Sequence, residues 1–405
     1  MDIDIPGFIR SLRESDITEA YAKLREKTPL PGICGRLCSA PCEKACILKE
    51  KGAAIAIRSL ERFATDFGRQ RNLRRSVNKG KRIRIAIVGS GPCGLAAAWM
   101  LARRGYEVII FEAFDKPGGV LRYGVPEFRL PKKVLDEQIA DIKIIGVKIE
   151  TNFFVGKTAS LDELRKDNFS AILLAMGAGI PKLRDIPGAN LGGVYYGEEF
   201  LMRVNLMKAN LFSQYIPSFG IGEKVIVLGA GNTAMDCARA AVRFRRKVTL
   251  VFRRPEDEMF VRPEERQYGK EEGVHIESMV RMVEILGDAN NFVKGAKCIR
   301  LDYAASSNKG KWELVPVPGS EFILEADTVI IAAGHRPNSL MGMVSDDQIF
   351  LELNDDGTIY IDKDTGMSSL SAVFAAGNVV TGPGPLIQAI ASGIDTAEKI
   401  DKYLT

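Results

Sequence analysis

Ile85-Ala86-Ile87-Val88-Gly89-Ser90-Gly91-Pro92-Cys93-Gly94 decides the fold, and 140 residues further on it has a near twin in Val225-Ile226-Val227-Leu228-Gly229-Ala230-Gly231-Asn232-Thr233-Ala234. Each is an apolar run, a glycine turn and the start of helix-forming sequence. Glycine at 89 permits the tight bend, glycine at 91 lets backbone approach a pyrophosphate, and glycine at 94 lets the helix pack closely on the strand. The helix N-terminus then offers free N–H groups and positive potential to phosphates. Working outward, the first helix is expected to end near Gly105. A second strand, Glu107 to Phe111, finishes at Glu112, whose carboxylate is placed for ribose hydroxyls. A lone glycine pattern is weak evidence, but strand, turn, helix and terminal acid together are specific. The same order recurs from Lys224 to Arg254, so the fold class is α/β with two doubly wound parallel sheets, each binding a dinucleotide.

The two units differ where their second strands end. Glu112 closes the first and would welcome a ribose hydroxyl, whereas Arg253 and Arg254 close the second and suit a 2′-phosphate. Gly229 and Gly231 are therefore expected to hold NADP(H) rather than NAD(H), against the alternative of two surface arginines at a strand end. Around the first turn, Gly118-Gly119 lets backbone lie against a flat ligand. Near the chain end, Val373 to Ala376 is a buried strand running into Gly377 and Asn378. Gly382, Gly384 and Pro385 then open a helix near Leu386, whose N-terminus would stabilise negative charge on a reduced flavin. Gly89, Gly91, Gly94, Glu112, Gly119, Gly377 and Asn378 are thus the expected flavin contacts. The bland alternative is a helix that only completes the domain.

Upstream, Cys34, Cys38, Cys42 and Cys46 recur every fourth residue. This departs from the paired spacing of structural zinc sites. Thiolates so spaced can converge once the helix is broken, and Pro41 lies within the run. An iron–sulfur cluster is favoured because the neighbouring sites carry electrons and zinc cannot; zinc is the competing occupant on spacing alone. The first 80 residues read as short helices: a capped start at Asp16-Ile17-Thr18-Glu19 with an apolar stripe of Ile17, Ala20, Tyr21 and Leu24, and a further helix from about Ala54 to Phe67. Cys93, Cys237 and Cys298 read as packing residues.

The chain has 405 residues, 46% apolar and 26% charged, with a net charge of +5. That length implies two or three domains. The basic run from Arg69 to Arg84 reads as a linker or a docking face for an acidic partner, since no nucleic-acid motif accompanies it. No stretch has the length and hydropathy of a membrane span and no leader is visible, so a cytoplasmic protein is expected. Neither nucleotide unit carries a closely spaced cysteine pair, which argues against a dithiol-disulfide reductase. His275 and His335 read as structural. Hydride transfer between nicotinamide and flavin needs stacking, alignment and exclusion of water rather than a side-chain nucleophile.

Taken together, Cys-Gly-Arg-Leu-Cys from Cys34, the turn from Gly89, Gly-Gly-Val-Leu-Arg-Tyr-Gly-Val-Pro from Gly118, Gly-Ala-Gly-Asn-Thr-Ala from Gly229, Phe-Arg-Arg from Phe252 and the Gly377 to Gly384 region resemble the glutamate synthase small-subunit family of FAD- and NADPH-dependent iron–sulfur oxidoreductases. The resemblance spans almost the whole chain. It implies FAD, NADP(H) and [4Fe–4S] cofactors, with an NADP domain inserted into a discontinuous FAD domain. The expected order is a helical iron–sulfur domain (1–79), the first part of the FAD domain (80–190), the NADP domain (191–335) and the second part of the FAD domain (336–405). The family usually has an earlier cysteine group before the segment matching Ile3-Asp4-Ile5-Pro6. A single cluster is therefore expected here, with Cys46 or Glu61 competing for the fourth position, or a ligand from a partner chain. The family usually has Asp where Asn378 stands. The implied activity is that of an NADPH-dependent flavoprotein subunit in a hetero-oligomer, exchanging electrons with a partner redox protein or catalytic subunit. An electron-bifurcating NADP/ferredoxin subunit and a non-catalytic adaptor are the alternatives.

Overall fold

The computed structural model describes residues 2–69, 81–206, 220–305, 312–337 and 351–405. The chain divides into two compact units, one of residues 1–122, 127–179 and 336–405 and the other of residues 123–126 and 180–335.

The first unit is built on a five-stranded parallel sheet in the order Val373–Ala375, Phe169–Leu174, Arg84–Val88, Glu107–Phe111, Lys148–Glu150. Its central strands are apolar on both faces, as a sheet covered on both sides must be. One face packs Ala86, Val88, Ile109, Phe111, Ile172 and Leu174 into a core with Val373 and Ala375. The helix Pro92–Arg103 leaves the first glycine turn and is rich in small side chains: Ala96, Ala97 and Ala98 are all fully buried. Those small residues let the last helix, Leu386–Leu404, lie close to it. The closest approach is at Gly393, where a Cβ would overlap the Cys93 carbonyl oxygen. Asp401 secures the far end of that helix through Lys81 at 3.2 Å, Arg104 at 2.7 Å and the Tyr106 hydroxyl at 2.6 Å.

Five short helices at the N-terminus belong to the same unit, with a small core of Phe8, Ala20, Leu24, Ile57 and Ala64. Asp16 caps Ile17–Lys27 by accepting the Glu19 N–H at 2.9 Å, and Ala20, Tyr21 and Leu24 form its buried stripe. The helix expected from about Ala54 runs from Ile57 to Gly68. Its first turn is capped from outside, by Glu43 Oε1 on the Arg58 N–H at 2.8 Å. Most of the basic run, residues 70–80, lies outside the described residues. Its two end residues, Arg69 and Arg84, make contacts within the fold. Arg69 pairs with Asp141 at 2.9 Å and Glu137 at 3.2 Å, and Arg84 stacks on Phe169 while donating to the Asp167 carbonyl.

The second unit repeats the parallel motif in the order Val194–Tyr196, Thr328–Ile331, Lys224–Leu228, Lys247–Val251, Val274–Glu277. A three-stranded antiparallel sheet, Val280–Gly287, Val293–Ala305 and Trp312–Glu325, packs Val280, Met282, Ile285 and Ala296 against Ile226, Val251 and Val329. An ion-pair cluster ties Asn232–Arg243 to Pro263–Glu271 and the residue that follows it. Arg239 meets Glu265 and Glu272, and Arg243 meets Glu272 at 2.8 Å.

Candidate dinucleotide and iron–sulfur sites

The first glycine turn has the backbone its sequence requires. Gly89 sits at φ +99°, in the left-handed region that favours glycine. A Cβ at Gly94 would overlap the Gly89 carbonyl oxygen, whereas one at Gly91 would meet nothing within 4 Å. Glycine at 94 thus serves packing inside the protein, and glycine at 91 keeps open the approach to the turn. The helix Pro92–Arg103 begins without a side-chain cap, so its first N–H groups point outward with the positive end of its dipole.

Glu112 is 4% exposed and is bound into the turn rather than hanging free. Its Oε2 accepts the Ser90 N–H at 3.0 Å and the Ser90 hydroxyl, while Oε1 accepts the Phe114 N–H at 3.0 Å. The Ser90 oxygen in turn accepts the Gly118 N–H at 2.8 Å. One fully buried hydroxyl therefore joins the glycine turn, the strand-end acid and the Gly118-Gly119 loop. Gly119, at φ +51°, lies so close that a Cβ there would sit 2.9 Å from the Gly91 Cα. Sequence reasoning missed Ser90, which occupies a position the dinucleotide pattern leaves unspecified.

From the far end of the chain, Gly377 at φ +73° packs on Cys93, with room for a Cβ only 2.9 Å from the cysteine Cβ. Asn378 begins a single helical turn, and the helix Leu386–Leu404 also starts without a side-chain cap. Burial pushes the Cys93 thiol up to about 12, so it is a packing group and not a nucleophile.

The second turn uses the same devices. Gly229 is at φ +147° with the Ala332 carbonyl against it, Gly231 faces open space, and Asn232–Arg243 has no side-chain cap. Arg253 and Arg254 are exposed at the end of the neighbouring strand; Arg254 lies over the Phe260 ring and 3.6 Å from Glu258. The segment after them folds back onto the turn, with the Phe260 N–H donating to the Ala230 carbonyl at 3.0 Å. It brings in Arg262, which sequence reasoning did not single out. Arg262 Nη2 is bound to Glu265, while its Nε and Nη1 are buried without a hydrogen-bond partner among the described residues. Buried guanidinium donors are costly to leave unpaired, so they fit an anion that the protein alone does not supply.

Among the cysteines, the helix Pro31–Leu37 carries Cys34 and ends at Cys38. Ala40 turns left-handed, and Pro41 starts the short helix Pro41–Lys44 that carries Cys42. Pro41 has no N–H to continue the first helix, so the break falls within the cysteine run. Cys34 and Cys38 are buried, and Cys42 and Cys46 half-buried. Burial, then the Glu61 and Cys38 charges, push the Cys34 thiol well up. Backbone N–H groups of Ile55, Leu48 and Lys49 hold Cys46 below its ordinary range. Glu61 lies beside Cys34 and Cys42, 8% exposed, with Oε1 buried and unpartnered. Burial, with a smaller contribution from Glu43, raises its carboxyl to about 8. Among the described residues, no three His, Cys, Asp or Glu side chains converge tightly enough to hold a single metal ion. An orphaned carboxylate oxygen beside thiols fits the wider ligand set of a multi-iron cluster.

The fold and these features define a class: an oxidoreductase with two dinucleotide-binding parallel sheets and an N-terminal iron–sulfur domain. Comparisons agree with it. Residues 83–393 match the pyridine nucleotide-disulphide oxidoreductase family, and residues 1–73 match dihydropyrimidine dehydrogenase domain II, 4Fe-4S cluster. The chain is 35% identical to the NADP(+)-dependent formate dehydrogenase subunit beta of Moorella thermoacetica, over 99% of this chain and 58% of that one. It is 32% identical to the glutamate synthase [NADPH] small chain of Azospirillum brasilense, over 99% and 84%. Among solved structures, Mycobacterium tuberculosis FprA in complex with NADPH has a TM-score of 0.65 at 21% identity, covering 80% of this chain and 85% of that one. The chain spans about three-fifths of the length of the Moorella relative and of the Geobacter sulfurreducens NADPH-Fe(3+) oxidoreductase subunit beta.

The chain belongs to the pyridine nucleotide-disulphide oxidoreductase family, within the group that includes the glutamate synthase small chains. The two matching domains bring the cofactors FAD, NADP(H) and a [4Fe–4S] cluster. No described helix is long and apolar enough to cross a membrane.

Proposed function

We propose that this chain is the NADPH-oxidising, electron-distributing subunit of a cytoplasmic hetero-oligomer, and that its final electron acceptor or donor lies on a partner redox protein or catalytic subunit. Residues 1–79 would hold the cluster, 80–190 with 336–405 the FAD, and 191–335 the NADP(H). The observation that carries the reading is the contrast between the two strand ends. A carboxylate, Glu112, is bound into the first turn, while the exposed Arg253 and Arg254 follow the strand beside the second.

When bound, the flavin supplies hydride acceptance from the nicotinamide and single-electron exchange with the cluster. The chain's own residues position these groups. The free N–H groups behind Gly91 and Gly231 take the pyrophosphates of FAD and NADP(H). Glu112, fixed by Ser90, presents its remaining lone pairs to the FAD ribose, and Gly119 keeps backbone flat against the ligand. Gly377 and Asn378 shape the flavin side near the uncapped helix Leu386–Leu404. Arg253, Arg254 and Arg262 take the 2′-phosphate. Cys34, Cys38 and Cys42, with Cys46 or Glu61, ligate the iron. A partner is also supported by the relatives, several of which are named as subunits.

The test is steady-state reduction of an artificial acceptor by NADPH and NADH. In R253A/R254A, kcat/KM for NADPH should fall about 30-fold or more, as two charge-assisted phosphate contacts are lost. The NADH value should change little. Equal losses for both nucleotides would remove the arginines from 2′-phosphate recognition.

A further inference from the structure

Glu198 and His335 are far apart in sequence and paired in space, Nε2 against Oε1, with side chains only 20% and 24% exposed. Their place follows from the strand order. In the second parallel sheet, Glu198 comes two residues after Val194–Tyr196, His335 four residues after Thr328–Ile331, and the glycine turn directly after Lys224–Leu228. These three strands are adjacent and parallel, so all three features lie on the carboxyl edge, where a doubly wound sheet binds its ligand. Gly197 packs against Thr233 and Ala332, and the Ala332 carbonyl touches Gly229, so the pair borders the turn itself.

A dinucleotide on that turn has a fixed direction if the arginines hold its 2′-phosphate. The adenosine half runs over Lys247–Val251 toward Arg253, and the nicotinamide half must run the other way, over Thr328–Ile331 toward Glu198 and His335. We propose that Glu198 and His335 form the nicotinamide end of this site, a proton-linked pair that distinguishes the oxidised, cationic ring from the reduced, neutral one. This rests on the reading of the second turn as the NADP(H) site.

The ionised pair attracts the positive ring of NADP+; the protonated pair does not. Burial raises the Glu198 carboxyl to about 7 and lowers His335, so the pair changes charge near neutrality. The other groups around it are Glu199 on the same helix, the buried Cys237 and Asp236 on Asn232–Arg243, and Arg184, whose guanidinium donates to the Ala333 carbonyl. Lys182 and Arg336 flank the same stretch. Binding of NADP+ near pH 7 therefore draws a proton from this pair, and binding of the reduced form draws none from it.

The test is calorimetric titration of the flavin-loaded protein with NADP+, with the non-donating analogue tetrahydro-NADP, and with 2′,5′-ADP. The 2′-phosphate titrates in all three, so the difference between NADP+ and tetrahydro-NADP isolates the ring. Relative to tetrahydro-NADP, NADP+ should gain about tenfold in affinity between about pH 6 and about pH 8, the equivalent of one pKa unit. E198Q should abolish that gain and the matching proton release while keeping 2′,5′-ADP affinity, and H335N should move its midpoint. If NADP+ and tetrahydro-NADP follow one pH curve, or E198Q keeps the difference, the proposal is overturned although 2′,5′-ADP still binds. An unmoved midpoint in H335N removes His335 from the pair. Failure of the wild type to bind 2′,5′-ADP overturns the underlying NADP(H) reading as well.

Discussion

Ser90→Ala is the most informative single change in the flavin site, because one hydroxyl serves three segments. The substitution deletes the hydrogen bond from Ser90 to the Glu112 carboxylate and leaves the Gly118 N–H without its acceptor. A hydrogen bond to a charged group is worth about 1.5–3 kcal/mol, and a buried orphan N–H costs about 1–3 kcal/mol. The site is fully buried, so water does not readily replace either partner. The two terms share one atom and do not simply add, and a net loss of about 3 kcal/mol is expected. For a domain of roughly 150–250 residues, that lowers Tm by about 6–12 °C. It should also weaken flavin retention, because the Gly118-Gly119 loop loses its anchor and Glu112 loses one of its three hydrogen bonds. Thermal denaturation of apo and flavin-loaded protein, with flavin content after gel filtration, reads both effects. A mutant with stoichiometric flavin and a Tm within about 2 °C of the wild type would refute the claim that Ser90 holds the site together.

Gly94→Ala drives a methyl group into the Gly89 carbonyl oxygen and should yield protein without bound flavin, checked by its absorbance. The N-terminal helices, which have their own core, should remain folded by circular dichroism. Around Glu272, burial works against ionisation, but the Arg239 and Arg243 guanidiniums outweigh it and hold the carboxyl at about 2. Because this lies below the unfolded value, the stabilisation is fully present above about pH 4.5 and is lost as pH falls toward 2. The Tm gap between wild type and E272Q should therefore be open at neutral pH and close across that acid window. A gap that does not change with pH would contradict the ion-pair account.

The fold class was legible because backbone requirements leave residue-type signatures. Gly89 and Gly229 need positive φ, Gly94 needs a missing Cβ, and the buried parallel strands read as unbroken apolar runs. Pro41 announced the break among the cysteines for the same reason. What escaped was interaction between segments distant in sequence. Ser90 looked like a spacer, and only the fold shows that its hydroxyl meets both Glu112 and Gly118. Arg262 carries no motif; it is recruited because Phe260 folds back onto Ala230. Glu198 and His335 meet only because two strands far apart in sequence lie side by side, so His335 read as structural. Arg69 looked like part of a charged linker, although it is held by Glu137 and Asp141 on a helix about 70 residues later.

The central claim is that electrons pass from NADPH through the flavin to the cluster within this chain. The direct measurement is an anaerobic titration of the purified protein with NADPH, following flavin bleaching by absorbance and cluster reduction by electron paramagnetic resonance. The account predicts bleaching of the flavin together with the signal of a reduced iron–sulfur cluster. Protein that carries flavin but is not bleached by NADPH, or that carries none, would contradict it.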